Sequence, residues 1–126
     1  MSKVLRVILL ALVAVVAMGQ MLHVSADEKL TIKQIMEKSH KGKEAPIQVV
    51  LAGKADEKLL KEFLSWFESM AAQKPELGDE ASWKTKTAAL VEATKGLIEK
   101  KPNALETMTT ASDCKACHSI HKPKKK

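Results

Sequence analysis

Apolar residues recur along this chain at spacings of three and four, the period of helices with one face turned inward. Ile32, Ile35, Met36 and then Ser39 or His40 mark a first helix over Leu30–His40, with Thr31 or Asp27 to cap its start. Gly42 and Pro46 break it, and Ile47–Leu51 reads as a short helical turn ending at Gly53. A second helix covers Asp56–Gln73, with the stripe Leu59, Leu60, Phe63, Leu64, Phe67, Met70 and Ala71. Asp56 and Glu57 suit the positive end of its dipole. After the turn-rich Lys74–Asp79, a third helix is expected over Glu80–Lys100, capped by Asp79 and striped by Trp83, Thr87, Leu90, Val91, Thr94, Leu97 and Ile98. Asn103 followed by Glu106 resembles a capping box and opens a fourth helix, Ala104 to about His121, stopped by Pro123. No stretch alternates like a strand and no repeat is present. Four amphipathic helices with short links predict an all-α, up-down antiparallel four-helix bundle.

The first 26 residues follow another pattern. Lys3 and Arg6 precede the unbroken apolar run Val7–Ala17, and Val24 and Ala26 place small residues ahead of a cleavage point. This is the layout of a secretory signal peptide. The apolar core is short against the roughly 20 residues needed to span a bilayer. The expectation is therefore a cleaved signal at 1–26, export to the periplasm, and one domain at 27–126 without stable membrane insertion.

Cleavage changes the electrostatic picture. The whole chain carries +6, but Lys3 and Arg6 leave with the signal, so 19 basic face 15 acidic side chains and the charge becomes +4. The mature aromatics are Phe63, Trp66, Phe67 and Trp83, and the charges are mixed rather than gathered in a stripe. Nucleic-acid binding is not expected. The lysines of 122–126 read as a solvated tail, with docking to an acidic partner as the other reading.

The chemistry lies in Cys114-Lys115-Ala116-Cys117-His118, the c-type haem attachment pattern. Positions i, i+3 and i+4 share a helix face. Two thiols can meet the two vinyl groups at one porphyrin edge, while His118 presents a nitrogen to the iron. One covalent haem c is thus expected, bound by Cys114 and Cys117 with His118 as proximal axial ligand. Export and haem-maturation machinery must act together, because the thiols have to stay reduced until ligation. Three alternatives compete: a thioredoxin-like dithiol, a local disulfide, and a zinc site using Cys114, Cys117, His118 and His121. A dithiol motif usually opens a helix after a strand, whereas this one is expected late in a helix. Adjacent Cys117 and His118 on one rigid helix fit a zinc tetrahedron poorly.

A haem motif near the C-terminus, behind three helices, resembles the class II c-type cytochromes, cytochrome c′ and the low-spin cytochrome c556 group. Ile32-Lys-Gln-Ile-Met-Glu-Lys-Ser-His-Lys-Gly42 is similar to that family's first helix. The mature chain is shorter than typical members, and Lys122 stands where the family often has arginine near the proximal histidine. The resemblance implies a cytochrome c′-like four-helix bundle with the haem on its last helix. It also implies that Met36 occupies the place of the c556 methionine ligand, or of the cytochrome c′ residue that only shields the iron. Dimerisation, common in the family, would use exposed faces of the first two helices.

Of the other mature methionines, Met70 reads as core and Met108 shares the haem helix. His40, one turn beyond Met36, reads as a surface histidine, with ligation to iron or contact with a propionate as its other roles. His121 reads as a flanking residue. His118/Met36 ligation fills the iron's coordination shell and describes a low-spin electron carrier that meets redox partner proteins. Without Met36 the iron is five-coordinate and can bind nitric oxide or carbon monoxide. A haem-free zinc or dithiol module is the third class. Nothing in the sequence supports an enzyme.

Overall fold

The computed structural model describes residues 29–125. Six helices and no strand occur among them: α1 (Ile32–His40), α2 (Pro46–Leu51), α3 (Glu57–Ala71), α4 (Glu80–Ile98), α5 (Ala104–Ala111) and α6 (Cys114–His121). The domain is all-α, as its periodicity predicts. The expected signal peptide and its cleavage point lie outside the described residues. No described helix is long and apolar enough to cross a membrane.

The helix starts follow from side-chain capping. Thr31 Oγ1 accepts from the Gln34 amide at 3.2 Å, and Gln34 Oε1 accepts from the Thr31 amide at 2.9 Å. That reciprocal pair is a capping box. Asp56 Oδ1 accepts from Leu59 N at 2.8 Å, and Asp79 Oδ1 from Ser82 N at 2.6 Å. Each such cap contributes about 1 kcal/mol. Asn103 does otherwise: it adopts a left-handed conformation (φ 61°) and makes no side-chain cap. The box expected between Asn103 and Glu106 does not form.

The most extensive packing is between α3 and α4, followed by α4 and α5. α1 rests on α2 and α3, and α6 on α4. Phe63, Phe67 and Met70 of α3 meet Trp83 and Val91 of α4, Ile35 of α1, Val50 of α2 and Met108 of α5 in one core. The Trp83 indole N–H is shared between the carbonyls of Met70 (3.1 Å) and Gln73 (2.9 Å). It thereby ties the end of α3 to the start of α4.

The fourth helix expected from the sequence is two helices. Thr107, Thr109 and Thr110 each turn a hydroxyl back to the carbonyl four residues earlier. Ser112 then leaves the helical region, and Asp113 is extended. Asp113 Oδ1 accepts from Ala116 N at 3.1 Å and starts a new helix. Short polar side chains compete with the helix ladder and favour caps, and here that competition wins. The Cys114–His118 motif therefore begins α6 and does not lie deep within a longer helix.

α6 is fastened at its far end by His121, which is 6% exposed. Its Nδ1 donates to Leu77 O at 2.8 Å, and its Nε2 accepts from the Ser82 hydroxyl at 3.1 Å. The ring stands edge-on to Trp83 at 5.2 Å. Gly78, at φ +82°, lets the link between α3 and α4 approach this ring, since a Cβ there would lie 2.6 Å from His121 Nδ1. His121→Ala removes both hydrogen bonds and leaves the Leu77 carbonyl without its partner. An expected loss of about 2 kcal/mol follows. It is read as a lower urea midpoint at unchanged m-value.

Candidate haem site

Cys114, Cys117 and His118 occupy one face of α6, as their spacing requires. Cys114 and His118 are exposed. Cys117 is half-buried against the core, where burial pushes its thiol above the ordinary range despite the opposing pull of Lys86. Both cysteines are free. The motif does open a helix, contrary to the sequence expectation, but what precedes it is α5, not a strand.

A second histidine comes from α1. His40, at its C-terminal end, rests its ring beside Phe63 (centroids 6.4 Å apart, planes at 68°) and Phe67 (6.5 Å, 55°). His40 is held below the usual histidine range by burial, and then by the charge of nearby His118. His118 is in turn lowered by partial desolvation and then by Lys122. His40, remote from His118 in sequence, thus lies within range of its charge. Lys122 supplies a positive charge near His118. Met36, one turn before His40, is partly buried and packs against the core.

Comparison with protein-family models, with curated proteins and with solved structures returns no match to this chain. Its chemistry rests on its own residues.

The donor set fits a c-type haem. Two free thiols and an imidazole share a helix face, and a second imidazole, on α1, lies within range of the charge of the first. Among the described residues, no group of three or more His, Cys, Asp or Glu side chains is placed to hold a metal ion by itself. The four-ligand zinc set loses His121, because both of its ring nitrogens are engaged by Leu77 and Ser82. Reading His121 as a mere flanking residue misses this fastening role. Its only sequence signal is the helical spacing from His118.

The lowered histidines set a pH dependence for the chain made without haem. The folded state resists protons on His40 and His118 that the unfolded chain accepts near the ordinary value of 6.5. Stability is therefore full above about pH 6.5 and falls as the pH drops below it. Urea unfolding between pH 8 and pH 5 should show this slope, and His40→Gln should flatten it.

Proposed function

We propose that this chain is an exported, periplasmic c-type cytochrome that carries electrons on one covalent haem. The observation that carries the reading is the α6 face, where Cys114, Cys117 and His118 stand together with both thiols free. Attachment consists of each thiol adding across a vinyl group: an S–C bond forms, the thiol hydrogen goes to the neighbouring carbon, and no net electron is transferred. The bound haem supplies a one-electron ferric/ferrous couple. The chain's part is to hold that couple. His118 of α6 would hold the iron, and Met36 and His40 of α1 are the residues that could supply a further ligand. A filled coordination shell leaves no place for a substrate, which suits a carrier.

In this reading α1, α3, α4 and the broken pair α5–α6 make the four-helix bundle of the class II cytochromes. Cys114 and His118 lie at the surface, within reach of a redox partner protein. The lysines that follow α6 would favour an acidic partner.

The test is production of the full chain in a periplasm equipped for haem maturation, followed by a pyridine haemochrome assay and intact mass. One haem per chain, retained under denaturing conditions, supports the reading. A chain of unaltered mass from a host that matures a control cytochrome overturns it.

A further inference from the structure

We propose that His40 of α1, rather than Met36, is the second axial ligand of the iron, opposite His118. The proposal rests on the haem reading above and names the ligand that the reading leaves open between two residues of α1.

Three features of His40 carry it. The first is position. The fold brings His40, on the first described helix, within range of the charge of His118 on the last. Two imidazoles offered from different helices can approach one iron from opposite sides. The second is orientation. The edge contact with Phe63 and the tilted contact with Phe67 fix the ring, so its free nitrogen has a set direction. A ligand held in this way loses little rotamer freedom on binding.

The third is the tautomer. The Ser39 hydroxyl spends its proton on the Ile35 carbonyl, at 2.6 Å. Its oxygen also contacts His40 Nδ1. With the hydroxyl proton committed, Ser39 Oγ can only accept there, so Nδ1 carries the ring hydrogen. Nε2 is left with its lone pair and no hydrogen-bond partner among the described residues. A second hydrogen bond that fixes the tautomer and leaves one nitrogen basic is the usual arrangement behind a metal-bound histidine. Ser39 is fully buried on α1 although it is polar. Orienting His40 gives that burial a purpose.

Met36 shows none of this. It is partly buried against the hydrophobic cluster, a routine place for methionine. His121 has no nitrogen to offer. An imidazole in place of a thioether also changes the chemistry, because it favours ferrous iron less and lowers the potential of the couple. The carrier would then work at a lower potential than a His/Met cytochrome.

The haem-loaded full chain decides between the two ligands by spectroscopy. Its ferric form should be low-spin and should lack the near-infrared charge-transfer band that a thioether ligand produces. Met36→Leu should leave that spectrum unchanged, and His40→Ala should convert it to high-spin. His40→Met should give a low-spin ferric form with the thioether band and a higher reduction potential. A thioether band in the unaltered protein, lost in Met36→Leu and kept in His40→Ala, overturns the proposal in favour of Met36. A high-spin ferric form of the unaltered protein overturns it in favour of a five-coordinate iron. The spectrum of the unaltered protein alone separates these outcomes, so a variant that fails to fold does not shield the proposal. Absence of covalent haem is read separately, by mass, and overturns the haem reading with this one.

Discussion

A chain carrying both Cys114→Ala and Cys117→Ala, made beside haem-maturation machinery, will emerge with no covalent haem. Denaturing mass analysis should show the polypeptide alone, against one haem per chain for the unaltered protein. Each thioether needs its own thiol, and the described residues contain no other cysteine. The loss should extend to stability. α6 rests on α4 alone among the larger interfaces, fastened by the hydrogen bonds of His121. A haem bonded to α6 and ligated from α1 would join two helices that otherwise have little to do with each other. The doubly substituted chain should therefore unfold at lower urea than the haem-bearing one, and proteolysis should reach the end of the chain first. Equal midpoints would mean that the haem does not bridge the two helices.

Phe63→Ala should cost about 3–5 kcal/mol, the range for removing a buried aromatic ring. The side chain is fully buried, with Phe67 at 5.5 Å and Trp66 at 5.1 Å between ring centroids. Domains of this size hold about 5–15 kcal/mol in total. The substitution therefore removes a large share of the stability of the haem-free chain, and urea unfolding should show it. Phe63 also touches the His40 ring. Its loss should loosen that imidazole as well as the core, so a haem-loaded Phe63→Ala protein should show mixed spin states. Phe63→Leu keeps most of the volume and should cost less on both counts.

Much of the fold is legible as a pattern. The stripe of α3 names Leu60, Phe63, Phe67 and Met70, and all four are buried. The Asp56 and Asp79 caps can be foreseen because a carboxylate at the start of an apolar period has one obvious use. The break at Ser112 and Asp113 is not legible in this way. The apolar period continues across it, while threonine, serine and aspartate weaken the helix only by small increments that periodicity does not weigh. Asn103 misleads for a related reason. A capping box needs an extended backbone at its first residue, and the left-handed turn after Pro102 denies it.

The site divides along the same line. The sequence by itself determined the chemistry of α6, because two thiols and an imidazole at i, i+3 and i+4 share a face wherever the helix lies. It also determined an all-helical domain, since each stripe is a local property. Only the tertiary structure decided which side chains stand near that face. Met36 and His40 are one turn apart on the same helix, and spacing cannot rank them. Packing gives them different surroundings, because it seats Met36 against the core and His40 beside Phe63 and Phe67. Packing also turned His121 inward as a fastening, through a carbonyl and a hydroxyl that no local pattern connects to it. Contacts between distant segments depend on how whole helices dock, and docking is settled by the sum of their buried faces rather than by any one residue's neighbours in the chain.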